Sequence, residues 1–367
     1  MVTEKLLLMI KSPVTLFKII SANIKTLRDK RSYSHFEKKH KLLQAIDLFL
    51  WSVKHWEEND YYYHYKLDDK GSNAEGYISK KSFMALRYKS NTYFSGNRAI
   101  QYICFLSDKI LFSKTMEGSV RIPKTVFYIR DGKINDKYDI SIENIKVIVG
   151  GRKKFILKDS FGQEAGKIGV ESDGVLLIKL EGSKVYINNK ERNETYFNEL
   201  LLSKSEWIAQ ELIIQAKDIS ALNHSSVNTI RLLTVINHGK VEICKAVMKV
   251  GASGEIVDNF WTGGVLINID IETGCFTEQC LYETSLRDRQ ETDKLINSVK
   301  GKRVKNWCDV INQASNAHQL LPKIKSIGWD VAITEEGACI IEGNDNWDVV
   351  MFQAFEPLED YIIEKLS

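Results

Sequence analysis

The tightest constraint on this chain is the segment Trp329-Asp330-Val331-Ala332-Ile333-Thr334-Glu335-Glu336-Gly337-Ala338-Cys339-Ile340-Ile341-Glu342-Gly343-Asn344. Two apolar-rich runs bracket a Glu-Glu-Gly turn, which predicts an antiparallel hairpin. Alternation puts Trp329, Val331 and Ile333 on one face and Asp330, Ala332 and Thr334 on the other. Keeping apolar opposite apolar predicts a three-residue turn at Glu335–Gly337, with Ile333 beside Cys339 and Val331 beside Ile341. Asp330 then faces Glu342, and Asn344 lies one step further along the same face. A two-residue turn would move Glu342 onto the apolar face and is rejected on that ground.

Opposed residues in such a ladder hold their Cβ atoms ~5 Å apart, and like charges there are destabilising. At an effective dielectric of about 20 the Asp330–Glu342 repulsion is of the order of 3 kcal/mol. A favourable cross-strand pair contributes only ~0.2–1 kcal/mol. A cation between the carboxylates would remove the defect. Two carboxylates and an amide oxygen are hard ligands, suited to Mg²⁺ or Mn²⁺ bridging phosphate oxygens. The competing reading is an exposed hairpin whose acids splay into water.

Upstream, short β-rich runs follow one another from about residue 120. They are Thr125–Ile129, Ile145–Val149, Phe155–Lys158, Leu176–Leu180, Trp207–Leu212, Thr229–Ile236, Val241–Val250 and Val265–Ile271. Helical windows fall at Thr292–Lys300 and Asn312–Ser326. A second turn at Asn237-His238-Gly239 reinforces antiparallel pairing, so the class is α+β. The first ~95 residues read as helical and basic, with Leu42, Leu43, Ile46, Phe49, Leu50 and Val53 forming one apolar stripe. The Lys/Arg-rich segment Ile20–Lys41 fits a membrane-surface or RNA-binding element, or more simply the solvated face of a helical cap. The aromatic run Tyr61–Tyr65 reads as packing.

At 367 residues the chain is long enough for two or three domains. Its 44% hydrophobic and 27% charged content excludes low-complexity disorder, and a net charge of +3 gives no reason to expect nucleic acid. The six cysteines form no C-x-x-C or zinc spacing and read as reduced thiols. The N-terminal apolar stretch Leu6–Ile10 is short for a secretory signal, and no apolar run is long enough to span a bilayer. A cytoplasmic location is therefore expected.

The middle of the chain suggests anion binding. Phe155–Lys158 leads into a loop with Gly162, Gly166, Lys167 and Gly169, where glycines let backbone N–H groups approach an anion. It is neither a Walker A motif nor a dinucleotide fingerprint, and an ordinary glycine turn remains open. Asn228-Thr229-Ile230-Arg231 starts a strand whose arginine could clamp phosphate or pair with an acid. Asp258-Asn259 with Gly263-Gly264 reads as a polar active-site loop or a plain turn.

In order, these pieces resemble the ATP-grasp superfamily and, within it, the sugar-transfer-associated ATP-grasp proteins. The matching string is Asp108-Lys109, Phe155–Lys158 with its loop, Glu211, Asn228–Arg231, Asp258-Asn259, Gly263-Gly264, Gly328-Trp329-Asp330 and Ile341-Glu342-Gly343-Asn344. It covers about residues 100 to 355. The resemblance implies an α+β ATP-grasp fold, two lobes with mostly antiparallel sheets clamping ATP. The implied division is a helical basic region at 1–95, a first part of the module with the phosphate loop at 96–215, and a C-terminal lobe with the metal hairpin at 216–367.

By the same resemblance, Lys109 and Lys158 would contact the α/β-phosphates, with the loop carrying Gly162, Gly166 and Lys167 over the β/γ end. Glu211 and Ile213 would form the adenine hinge, and Asn228 would join the nucleotide site. Arg231 would be catalytic, at the γ-phosphate or the intermediate. Asp330, Glu342 and Asn344 would hold two Mg²⁺ ions, for which Mn²⁺ could substitute. Asp258, Asn259, Gly263 and Gly264 would face substrate. Two departures stand out: Gly328 replaces an arginine common in the family, and Asp345-Asn346-Trp347-Asp348 replaces its Pro-Gly.

The implied activity is carboxylate–amine ligation through an acylphosphate. Its partners would be a sugar acid or other small molecule and an amine, in surface-polysaccharide precursor synthesis, with peripheral contact to membrane-associated glycan machinery. The alternatives are a kinase phosphorylating a hydroxyl and a non-catalytic binding module.

Overall fold

A computed structural model of the chain describes residues 13–93, 100–161, 175–182, 184–204, 206–254, 258 and 260–367. The described residues open with helices α1 (Pro13–Arg28), α2 (Lys41–His55), α3 (Lys80–Tyr93), α4 (Ile100–Ser107) and α5 (Lys109–Met116). Between α2 and α3 the tyrosine run is buried, with Tyr62 and Leu48 in one core cluster, so it does pack. The stripe expected on α2 points outward except at Val53. Its buried side is Gln44, Leu48, Trp51, Ser52 and Val53, while Leu42, Leu43, Ile46, Phe49 and Leu50 are exposed.

The first sheet is built from β1 (Thr125–Arg130), β2 (Lys133–Ile134), β3 (Tyr138–Asp139), β4 (Lys154–Asp159), β5 (Val175–Glu181), β6 (Lys184–Ile187), β7 (Lys190–Arg192) and β8 (Glu206–Gln210). Its order is β3-β2-β1-β8-β4-β5-β6-β7, antiparallel throughout. Helices α6 (Ile142–Val149) and α7 (Glu194–Leu202) cover it, closing a core around Phe127, Phe155, Ile178, Phe197 and Trp207.

The expected strand Ile145–Val149 is the second half of α6. Ser141 Oγ accepts from the Asn144 N–H at 3.2 Å, capping the helix start, and Gly150 ends it at φ 57°. Ile142, Ile145 and Val149 share the buried side at helical spacing. The strand expected over Trp207–Leu212 stops at Gln210, which leaves Glu211 in the connection to the second sheet.

After the short helix α8 (Lys217–Ser220), the second sheet comprises β9 (Thr229–Asn237), β10 (Lys240–Val250), β11 (Val265–Ile269), β12 (Phe276–Leu281), β13 (Ser326–Thr334) and β14 (Gly337–Asn344). Its order is β12-β11-β10-β9-β13-β14, also antiparallel. Helices α9 (Arg289–Val299) and α10 (Trp307–Gln319) pack with one face of it, burying Ile230, Leu232, Met248 and Trp329 with Val310 and Ala314. The helix expected at Asn312–Ser326 starts earlier and ends at Gln319, since Pro322 disfavours α geometry just before it and Ser326 already opens β13. The C-terminal helices α11 (Val350–Gln353) and α12 (Glu359–Leu366) join α3 against the opposite face, where Leu233, Val235 and Val247 meet Phe83, Trp347 and Phe352.

The β13–β14 hairpin corrects the expected register. Thr334 pairs with Gly337, so the turn is the two-residue Glu335-Glu336, and Val331 pairs with Ile340 rather than Ile341. A bulge then shifts the ladder between Val331 and Asp330, with Ile341 as the extra residue. One extra residue reverses the alternation beyond it. Asp330 therefore does face Glu342, through a two-residue turn plus a bulge.

Two glycines of this hairpin are dictated by packing. A Cβ at Gly328 would lie 2.7 Å from Trp347 Cβ and 3.4 Å from Arg231 Nη1, so Arg231 fills the place that an arginine at 328 would need. A Cβ at Gly343 would lie 2.7 Å from the Trp329 ring and 2.9 Å from Leu106. Gly343→Ala should therefore destabilise the protein by ~1–3 kcal/mol through overpacking. Urea unfolding checks this, and an unchanged midpoint would show that the Trp329–Leu106 contact yields freely.

Candidate active site

Three strands carry the central charges. Asp330 on β13 lies opposite Arg231 on β9 and Glu342 on β14. Arg231 grips Asp330 with two parallel bonds, Nε to Oδ1 at 2.8 Å and Nη2 to Oδ2 at 3.0 Å. Lys249, on β10, reaches Asp330 Oδ2 at 3.1 Å and Asp258 Oδ1 at 3.3 Å. Asp258 also accepts from the backbone N–H of Thr229 at 3.0 Å and from its hydroxyl. Arg231, Lys249 and Asp330 are all buried.

Burial would raise the Asp330 carboxyl, but Arg231 and Lys249 outweigh it and hold the group well below the usual carboxylate range. Burial likewise opposes charge on Lys249, and Asp258 and Asp330 reverse that, raising its ammonium. Asp258 goes the other way: burial raises its carboxyl beyond what Lys249 offsets. The repulsion between Asp330 and Glu342 is thus offset by the protein's own cations, Arg231 and Lys249.

Lys158 of the first sheet and Lys109 of α5 lie in the same field. Burial depresses the ammonium groups of Lys158 on β4 and Lys109 at the start of α5, and in both cases the Glu342 carboxylate is the leading opposing charge. Asp108 caps α5 through Oδ1, accepting from Ile110 N–H at 2.8 Å, and takes a further bond from Ser160 Oγ at 2.8 Å. That ties α5 to the end of β4. Asn344 donates its amide to Glu342 Oε1 at 3.3 Å, orienting that side chain.

A cavity of about 380 Å³ opens over Lys109, Arg231, Glu342 and Asn344, and its far wall is formed by Tyr61, Lys80 and Arg87 of the N-terminal region. The segment Asp345–Asp348 is clamped to the same region. Arg87 donates to the Trp347 carbonyl and Asn346 Oδ1, Asn91 Nδ2 to the Asp345 carbonyl at 3.1 Å, and Tyr61 OH to Asp348 Oδ2 at 2.7 Å. Sequence reasoning missed Lys249, Tyr61 and Arg87. For Lys249 the signal was a lone charge inside the apolar run Ala246–Val250. No local signal marks the other two.

The remaining expected residues lie apart from this cluster. Glu211 pairs with Arg152 at 2.5 Å in the connection between the sheets, with Ile213 two residues on. Asn228 spends its side-chain amide on the carbonyls of Ile219 and Asn223, both at 3.0 Å, and so braces a turn. Gly263 and Gly264 follow a 3₁₀ turn at Phe260–Thr262, both bonding the Phe260 carbonyl. Gly162, Gly166, Lys167 and Asn259 lie outside the described residues.

Together these features define an α+β protein with two antiparallel sheets and a cavity lined by Lys109, Arg231, Glu342 and Asn344. The family model for sugar-transfer associated ATP-grasp proteins matches residues 88–357, and the chain belongs to that family. No curated protein matches it. Among solved structures it is similar to an ATP-grasp superfamily protein from Archaeoglobus fulgidus, at 14% identity and TM-score 0.31, over 69% of this chain and 50% of that one. It is also similar to N5-carboxyaminoimidazole synthetase from Staphylococcus aureus in complex with ADP (13% identity, TM-score 0.39, 66% of this chain and 46% of that one). A third is an L-amino acid ligase from Bacillus licheniformis (10% identity, TM-score 0.36, 72% of this chain and 51% of that one). The chain thus spans about half the length of these three structures.

Asp330→Asn should cost ~3–5 kcal/mol at neutral pH, because it leaves Arg231 and Lys249 buried without their shared anion. The folded-state carboxyl lies below its ordinary value of 3.8, so its contribution is present above that value and lost as pH falls through the folded one. The gap between parent and variant should therefore narrow in acid. Urea unfolding at neutral and acid pH checks this, and a gap independent of pH would remove the ion pair as its cause.

Proposed function

We propose that this protein is an ATP- and Mg²⁺-dependent carboxylate–amine ligase. The observation that carries the reading is the convergence of Lys109, Arg231, Glu342 and Asn344 at one cavity, with the Lys158 ammonium in the field of Glu342. The lysines match the charge of a triphosphate, and Arg231, whose Nε and Nη2 hold Asp330, has its Nη1 left for a phosphoryl group.

Among the described residues no group of three or more His, Cys, Asp or Glu side chains forms a metal cluster. The donor set still fits Mg²⁺, which takes one or two carboxylates and completes its shell with phosphate oxygens and water. Glu342 and Asp330 supply the carboxylates. Asn344 spends its NH₂ on Glu342 and Gly328, leaving its carbonyl oxygen as the third donor. When bound there, Mg²⁺ supplies charge neutralisation at the phosphates.

In the proposed reaction a substrate carboxylate oxygen attacks the γ-phosphorus. The bond to the β-phosphate oxygen breaks, giving an acylphosphate and ADP. The amine then attacks the acyl carbon, phosphate leaves, and the nitrogen loses a proton to give the amide. Lys109 and Lys158 would hold the nucleotide, and Arg231 would neutralise charge developing on the transferred group. Asp330 and Lys249 would keep the Arg231 guanidinium in place. The family's association with sugar transfer supports a sugar acid or a polysaccharide precursor as one substrate, received in the cavity beside Lys80, Tyr61 and Arg87.

ADP release across a matrix of sugar acids, amino acids and amines, with product masses, tests this reading. ADP formation should require a carboxylate and an amine together, with a mass gain equal to amide condensation. A stable phospho-product formed without any amine would make the protein a kinase. Lys158→Met should weaken Mg²⁺-ATP binding at least ~10-fold, about 1.4 kcal/mol. Equal affinity by calorimetry would take Lys158 out of the nucleotide site.

A further inference from the structure

The least expected feature of the surface is the outer side of the first two helices. On α1, Val14, Phe17, Ile20 and Ile24 recur every three or four residues and are 43–73% exposed. On α2, Leu42, Leu43, Ile46, Phe49 and Leu50 are 44–65% exposed. The two helices pack antiparallel, with Asn23 Nδ2 donating to Ser52 Oγ at 2.9 Å and Lys41 Nζ to the Leu27 carbonyl at 3.1 Å. Leu27 and Leu48 both turn toward the tyrosine core. The exposed stripes therefore look outward on the side away from that core, as one broad apolar face. Scattered exposed apolar residues need no explanation, but a patch of this extent marks a contact surface.

Its border is basic. Lys18, Lys25 and Arg28 lie on the exposed side of α1 beside the apolar stripe, and none forms an ion pair among the described residues. Residues 13–41 hold eight Lys or Arg against two acids, a net +6, while the whole chain nets +3. The positive charge is thus concentrated where the apolar face lies, and the rest of the chain is net negative. An apolar face flanked by lysines and arginines is the pattern of helices that lie in the interface of an anionic bilayer. A solvated helical cap does not place two phenylalanines and seven aliphatic residues in water.

We infer that the α1–α2 hairpin docks this protein on an anionic phospholipid membrane surface, apolar face inward and Lys18, Lys25 and Arg28 at the headgroups. The hairpin lies in the membrane interface without crossing the bilayer, and no described helix is long and apolar enough to cross one. The inference is independent of the ligase chemistry, because neither helix lines the active-site cavity.

Flotation of the full chain with vesicles tests it, comparing phosphatidylcholine alone with phosphatidylcholine containing phosphatidylglycerol. Binding to the anionic vesicles should be at least ~10-fold tighter and should fall as salt rises. The double variant Phe17→Ser/Phe49→Ser should keep the parent's melting temperature and lose binding at least ~10-fold. Lys18→Glu/Lys25→Glu should lose the preference for anionic vesicles. Failure of the folded parent to float with either vesicle would overturn the inference. So would sedimentation showing a dimer that the Phe17→Ser/Phe49→Ser variant dissolves, since the face would then bind a second copy. Binding to single-stranded RNA in place of vesicles would overturn it as well.

Discussion

The bidentate pair between Arg231 and Asp330 is the interaction on which the rest of the site depends. Its members sit on β9 and β13, strands adjacent in the sheet but 99 residues apart in sequence. Both are buried, and a buried charge without a partner costs several kcal/mol. The pair therefore ties the register of β13 on β9 to the placement of both groups. Lys249 extends it to a third strand and Asp258 to the following loop, so a single charge network spans the polar end of the sheet.

That network leaves Glu342 as the acid less committed to protein partners. Asn344 orients it, while Lys109 of α5 and Lys158 of β4 set positive charge against it. Both lysines are made less basic by burial, so a bound polyanion would replace lost hydration and favour their charged forms. The N-terminal helices complete the enclosure. Arg87, Asn91 and Tyr61 clamp residues 345–348, which makes the helical region part of the site's wall.

Much of this was legible in the residues. Asp330 opposite Glu342 was expected from alternation through a three-residue turn, and the structure arrives at the same pair by a two-residue turn and a bulge, while the β9–β10 turn at His238-Gly239 follows from its glycine. The bulge at Ile341 was not legible, because apolar residues at 338 to 341 fit either register and the choice is made by packing against α10. Ile145–Val149 misled for a related reason: five consecutive residues rich in Ile and Val suit strand or helix, and the deciding caps lie outside the run, at Ser141 and Gly150. Long-range pairings such as Arg231–Asp330 and Arg87–Trp347 leave no local trace. The exposed stripe on α2 has the spacing of a core face, and only the placement of the tyrosine run shows that the core lies on its other side.

The central claim is that the charges gathered from both sheets form one Mg²⁺-nucleotide site. Hydrogen–deuterium exchange of the full chain with a non-hydrolysable ATP analogue tests it most directly. The account predicts slowed exchange in β4 and in the β13–β14 hairpin when analogue and Mg²⁺ are both present, and no such change in a Glu342→Gln variant. Protection confined to other segments, or equal protection of these strands in that variant, would contradict it.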